Sequence, residues 1–215
     1  MSAAARPVLP PPGGVTAVLL AAGCSRRMGT ANKLLMPWRG MPLVCHALRA
    51  LAASRVDDIL AVTGHMPDEV RQALTGSALA DGPPLRFVHA PGYREGMSAA
   101  LRQGVGHVPA SAGAALLCLG DMPLVTAGLV NRLIAARAEA GGRYGFYAPF
   151  RDGRRGNPVL VERRFFAEIN AVQGDEGARG LLKRHPDALC RVTVPDGDDG
   201  PFVDIDTPAD FSAFC

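Results

Sequence analysis

The sequence predicts an α/β protein, with three layers (α/β/α) built around a mostly parallel central sheet. Short apolar runs suited to strands buried on both faces alternate with segments of helical periodicity. The connections between them are short, which favours parallel strands covered by helices. Glycines or aspartates stand at the ends of the apolar runs, at the edge where open α/β sheets bind ligands.

The elements follow in order. Residues 15–22 (VTAVLLAA) read as a fully buried strand, and 23–36 as a polar, basic loop punctuated by Gly23 and Gly29. From Pro42 onward Leu43, Ala47, Leu48, Leu51 and Ala52 recur at helical spacing. Residues 56–63 form a second strand. Residues 67–74 form a short helix whose Pro-Asp-Glu start suits the positive end of the helix dipole. Residues 85–89 are a weaker strand, and 98–108 a helix with Leu101 and Val105 on one face. Residues 114–119 are another buried strand, ending at Gly120-Asp121-Met122-Pro123, after which Leu129, Val130, Leu133, Ile134 and Arg137 keep helical register. Strands are expected at 144–149, 158–161 and 189–194, helices at 165–171 and 178–184, and a short tail after Phe202. The alanine- and proline-rich segment 1–14 reads as a disordered leader, so the domain is 15–215.

Composition narrows the function classes. The formal charge of +3 is mild and the basic residues are scattered, which excludes nucleic acid as the expected partner. No apolar run approaches the roughly 18–20 residues that cross a bilayer, so no membrane partner is expected. The five cysteines are odd in number, widely spaced and without a CxxC pair, as fits a reducing, cytoplasmic location.

The chemistry concentrates in three places. The first is residues 20–33, LAAGCSRRMGTANK, a buried strand feeding a loop with two glycines, a serine, arginines and a lysine. Glycines let backbone amides approach phosphate oxygens, and Arg27 and Lys33 add charge where a polyphosphate would sit. The loop is neither a Walker A sequence nor GxGxxG, and the latter fingerprint occurs nowhere in the chain. The second is Asp121 at the end of the strand 114–119, a carboxylate that can hold Mg²⁺ beside phosphate oxygens. The third is Asp204-Ile205-Asp206-Thr207-Pro208, where the two aspartates share a face if the segment is extended. Asp210 reads as a first-turn acidic residue of the last helix. The five histidines form no metal-spaced cluster.

The pattern L-A-A-G-x-S-x-R-M-G with a following lysine resembles the signature of nucleotidyltransferases with a GT-A-like, Rossmann-like fold. Within them the chain is most similar to the MocA-like molybdenum cofactor cytidylyltransferases, from about Val15 onward. The resemblance implies that Leu20, Ala21, Ala22, Gly23, Ser25, Arg27 and Lys33 surround the triphosphate. Gly96 and Ser98, in a Gly-Met-Ser segment, would serve the nucleotide near its base. Lys33, Arg27 and Asp121 would be catalytic, and Asp121 and Asp206 would hold Mg²⁺. Asn157 stands where relatives often carry histidine, and Asp175 and Arg179 lie in a G-D-x-G-A-R loop; these three are the implied acceptor contacts.

The resemblance implies transfer of CMP from CTP to molybdopterin or the molybdenum cofactor, with release of pyrophosphate and a recipient molybdoenzyme as partner. Ala22 favours CTP over GTP, because the related guanylyltransferases carry glycine there. A GTP-using guanylyltransferase, another small-molecule phosphate nucleotidyltransferase, and a non-catalytic cofactor-binding chaperone remain alternatives. An NAD-dependent oxidoreductase is disfavoured by the missing GxGxxG.

Overall fold

The computed structural model describes residues 13–23, 32–172, 174 and 177–213. The chain runs through β1 (Gly14–Ala21), a hairpin of β2 (Pro37–Trp38) and β3 (Met41–Pro42), α1 (Leu43–Ala52), β4 (Asp58–Thr63), α2 (Pro67–Ser77), β5 (Leu85–His89) and α3 (Met97–Gly106). It continues through β6 (Ala112–Leu119), α4 (Ala127–Ala140), β7 (Phe146–Arg151), β8 (Arg154–Arg155) and β9 (Val159–Glu162). The last elements are α5 (Phe166–Asn170), α6 (Gly177–Arg184), β10 (Leu189–Thr193) and α7 (Pro208–Ala213).

Strand β1 owes its central place to being apolar on both faces. Ala17, Leu19 and Ala21 enter one core with side chains of α1, α2 and α4, whereas Val18 and Leu20 enter the other with α3 and α6. The main sheet has the order β10-β7-β9-β6-β1-β4-β5, with β8 paired to β7. Pairs β1–β4, β1–β6, β4–β5 and β10–β7 are parallel. Only β9 among the described residues breaks the main path, running antiparallel to both β6 and β7. The expected mostly parallel α/β/α arrangement is therefore the observed one.

Two hairpins went unread in the sequence. Asp152 and Gly153 have φ of 50° and 74° between β7 and β8, and Arg39 and Gly40 have 43° and 82° between β2 and β3. Positive φ at both central residues is the primed turn that matches strand twist, and Asp-Gly is its standard sequence. That dipeptide was the available signal.

Some boundaries also moved. The stretch expected as a helix over 165–171 begins as a 3₁₀ turn at Arg163–Phe165 and becomes helical only over Phe166–Asn170. Residues 203–206 form no strand, although Ile205 is buried while Asp204 and Asp206 are more exposed, so the two aspartates do share a side. Gly14, assigned by sequence to the leader, begins β1; residues 1–12 lie outside the described part. No helix among the described residues is long and apolar enough to cross a membrane.

A buried ion pair ties the edge of this frame. Arg137 on α4 donates to both carboxylate oxygens of Glu162 on β9, at 2.8 and 3.1 Å, and to the Gly13 carbonyl at 3.2 Å. The bidentate geometry satisfies groups that burial would otherwise penalise. Glu162→Ala should leave the guanidinium buried without its partner and cost about 3–5 kcal/mol, measured by urea denaturation.

Candidate active site

The site forms where the C-terminal ends of β1 and β6 meet. The Gly120 amide donates to the Leu20 carbonyl at 3.0 Å, extending the strand pairing to the turn that carries Asp121. Gly120 is needed there, because a Cβ would lie 3.0 Å from that same carbonyl oxygen. Asp121 is joined in turn to the C-terminal segment, its carbonyl accepting from the Ile205 amide at 2.9 Å.

Lys33 enters from a 3₁₀ turn (Lys33–Leu35) capped by Asn32. The Asn32 Oδ1 accepts from the Leu34 amide at 3.1 Å, and its Nδ2 donates to the His65 carbonyl, also at 3.1 Å. The lysine is thereby fixed against the end of β4 as well as β1. Its Nζ donates to Asp121 Oδ2 at 2.8 Å, to Asp206 Oδ1 at 2.5 Å and to the Ile205 carbonyl at 3.0 Å. Three segments far apart in sequence converge on one ammonium.

Asp206 is held from below. Ile205 is buried with Trp38, Leu43 and Phe211, which pins the segment to the β2–β3 hairpin and α1. Asp210 Oδ2 accepts from the amides of Asp206 (3.0 Å) and Thr207 (2.7 Å) and from the Thr207 hydroxyl (2.9 Å). These hydrogen bonds hold the Asp210 carboxyl below its ordinary range, the Asp206 amide contributing most. Sequence reasoning took Asp210 for a simple first-turn acid; the structure makes it the brace of Asp206.

Charge and burial oppose each other at the centre. Burial alone would lower the Lys33 ammonium, but Asp121 and Asp206 outweigh it and raise it above an ordinary lysine. Asp121 is pushed up by burial, partly offset by Lys33, while Asp206 and Asp204 add like charge. Among the described residues the buried Asp121 Oδ1 has no hydrogen-bond partner. Cys118, directly beneath, is pushed up to about 12 by burial and is an inert thiol.

A cavity of about 280 Å³ opens in front of this cluster. Leu20, Ala22, Gly23, Lys33, Gly96 and Asp121, all expected in the site, line it. Ala21 does not, because alternation along β1 turns it into the opposite core. Gly96 has φ of 124°, a conformation that side chains resist, and it delivers the start of α3 to the cavity. Ser98 faces elsewhere: its hydroxyl donates to the Gly174 carbonyl, and the residue is fully buried. Tyr93 and Arg94 also line it and were not foreseen, since a 3₁₀ turn leaves no periodic signature, and Met97 at the start of α3 joins them.

A second cavity, of about 630 Å³, shares Leu20, Met97 and Leu119 with the first. Asn157 and Arg179 lie here, together with Asp204 and Arg155. Ser25, Arg27 and Asp175 fall outside the described residues.

The family model described as "MobA-like NTP transferase domain" matches residues 17–189. The chain belongs to this MobA-like family. The purine catabolism protein PucB of Bacillus subtilis is 31% identical over 209 residues, covering 90% of this chain and 92% of that protein. Nicotine blue oxidoreductase of Paenarthrobacter nicotinovorans is 28% identical, over 88% of this chain and 92% of that protein. Against the bifunctional protein GlmU of Kineococcus radiotolerans the identity is 33% over 175 residues, and the MobA-like chain spans only 33% of that protein's length. The crystal structure of Rv0371c from Mycobacterium tuberculosis superposes with a TM-score of 0.77 at 26% identity, covering 94% and 97% of the two chains. A further structure of that protein is a complex with manganese. The MobA-like chain is thus a nucleotidyltransferase of its family in fold and in domain type.

The brace under Asp206 gives a direct test. Asp210→Ala removes the hydrogen bonds to the Asp206 and Thr207 amides and should lower the urea midpoint of the full chain, whereas Asp210→Glu should lower it less.

Proposed function

We propose that the protein transfers CMP from CTP to molybdopterin or the molybdenum cofactor, releasing pyrophosphate, with Mg²⁺ as the metal. One observation carries the transferase part of this reading: Lys33, Asp121 and Asp206 meet at the end of β1 and β6, and Lys33 and Asp121 line a cavity with Gly23 and Gly96. The CTP and molybdopterin parts rest on the resemblance of the motifs, and on Ala22 at the cavity wall.

The donor set suits a hard divalent cation. Asp121 Oδ1 is buried with no hydrogen-bond partner among the described residues, and the Asp206 side chain is 37% exposed. No group of three His, Cys, Asp or Glu among the described residues could hold a metal alone. Two carboxylates completed by substrate oxygens and water is the arrangement Mg²⁺ favours. Asp121 and Asp206 would hold the ion, which when bound supplies neutralisation of the triphosphate oxygens and of the departing pyrophosphate. The manganese complex of Rv0371c supports a divalent ion in a related fold.

The remaining work falls to the chain's own groups. An acceptor phosphate oxygen forms the new bond to the nucleotide's α-phosphorus, and the bond from that phosphorus to the β-phosphate's bridging oxygen breaks. The attacking oxygen is already anionic near neutral pH, so no strong general base is needed. Lys33 and Arg27 neutralise the triphosphate, and the glycine-bearing turns orient it. Ser25 joins that loop, whereas the hydroxyl of Ser98 positions α3 and leaves base contact to the backbone at Gly96. Asn157, Asp175 and Arg179 serve the acceptor, and a molybdoenzyme receives the product. The free cysteines Cys45, Cys118 and Cys190 accord with action in the cytoplasm.

Asp121→Ala should lower turnover by roughly 10²–10³-fold while circular dichroism stays native; near-normal turnover would remove the assignment. A panel of CTP, GTP, ATP and UTP with molybdopterin, read by pyrophosphate release, should favour CTP. A wide margin for GTP would overturn the base choice alone, and binding without release would favour the cofactor chaperone.

A further inference from the structure

We propose that Ser98 is a positioning residue for the transfer reaction: with Arg102 it latches Val172 and Gly174 onto α3, and so sets the start of α6 against the wall that Gly96 and Met97 give the first cavity. The role rests on the nucleotidyl-transfer reading and adds to it the residues that hold the two cavities in one geometry.

The latch answers a need of the helix. The first amides of a helix have no partner within it. Gly96, the residue before α3, has no side chain with which to cap them. The Gly174 carbonyl caps the helix from outside. It accepts from the Ser98 amide at 3.2 Å and from the Ser98 hydroxyl. Ser98 is fully buried, so both donors are satisfied away from water.

One turn further along α3, Arg102 Nη1 donates to the Val172 carbonyl at 2.7 Å. Its charge strengthens that bond. Arg102 Nη2 also lies 3.9 Å from Glu95 Oε2, in the turn that leads into α3. The arginine therefore spans from the entry of α3 to the segment that leaves α5.

The same side of α3 meets α6. Gly177 opens α6 with φ of 56°, and a Cβ there would lie 2.9 Å from Met97 Sδ and 3.8 Å from Leu101 Cδ1. Met97, Ser98, Leu101 and Arg102 stand at i, i+1, i+4 and i+5, the spacing of one helix face. Farther along α6, Leu181 and Leu182 enter the core with Leu101 and Val105. Packing holds the far half of α6, and the latch holds its start.

The consequence falls on the cavities. Gly96 and Met97 line the first, whereas Met97, Gly177, Arg179 and Lys183 line the second. Ser98 lines neither of these two and acts through the segments that it joins. Ala100, Leu101 and Val105 keep α3 in the core without help from the hydroxyl. Removing the hydroxyl should therefore loosen the α6 side and spare the nucleotide wall.

Ser98→Ala and Arg102→Ala are compared with the wild type, with Arg102→Lys as the conservative replacement. In peptide-resolved hydrogen exchange on the full chain, residues 177–184 should exchange about threefold to tenfold faster in both alanine variants, the loss of one hydrogen bond. Exchange over residues 14–21 of β1 should stay as in the wild type, and Arg102→Lys should recover part of the protection. In pyrophosphate release with CTP and molybdopterin, KM for molybdopterin should rise about threefold or more, while KM for CTP stays within about twofold. Unchanged exchange over 177–184 in both alanine variants, or an equal acceleration over 14–21, overturns the latch. Unchanged KM for molybdopterin, or a rise in KM for CTP as large, overturns the positioning role. The Arg102 side chain is partly exposed, so Arg102→Ala carries both measurements if Ser98→Ala does not fold. A wild type that releases no pyrophosphate removes the transferase reading, and the exchange comparison still decides the latch.

Discussion

The Lys33 ammonium is the joint on which this site depends. It draws together the segment after β1, the turn after β6 and the C-terminal stretch before α7, three pieces separated by much of the chain. Each of those pieces is separately braced. Asn32 fixes the lysine, the pairing of Gly120 with Leu20 fixes Asp121, and Ile205 with Asp210 fixes Asp206. A buried ammonium between two carboxylates is favourable only with such preorganised partners, because desolvation opposes every charge in it. The structure concentrates hydrogen bonds around these three residues for that reason.

The fold supplies the rigidity this arrangement needs. β1 is inserted between β4 and β6 and is covered on both faces, so its C-terminal end has little freedom. The antiparallel β9 closes the other half of the sheet and brings residues 154–157 to the border of the second cavity. Parallel strands present turns at one edge around the first cavity, and the local reversal contributes Arg155 and Asn157 to the second. Two connection types thus build adjoining cavities from one sheet.

Much of this was legible in the residues themselves. The apolar runs marked β1, β4 and β6 because burial on both faces demands continuous hydrophobicity, and Leu85–His89 was read to the residue. Lys33 stood out as a charge in a glycine-bearing loop after a buried strand, whereas the roles expected of Asp121 and Asp206 leaned on the family resemblance. Other contributors were hidden for physical reasons. Tyr93 and Arg94 lie in a 3₁₀ turn with no period to detect, and Asp210 reveals its role only through the amides it accepts from. Ser98 misled because its motif invites a ligand contact, whereas tertiary packing turns the hydroxyl to the Gly174 carbonyl. Arg155 was given no role of its own in the sequence, and the β7–β8 hairpin brings it near enough to Arg179 for their like charges to act on each other.

Met97 has a wider meaning. It lies at the start of α3, lines both cavities and packs so closely on Gly177 that a Cβ there would come 2.9 Å from its sulfur. Together with Leu20 and Leu119, this flexible side chain belongs to the wall common to the two cavities. A change of size at Met97 therefore alters the volume of both cavities at once, so neither can be reshaped from that side independently of the other.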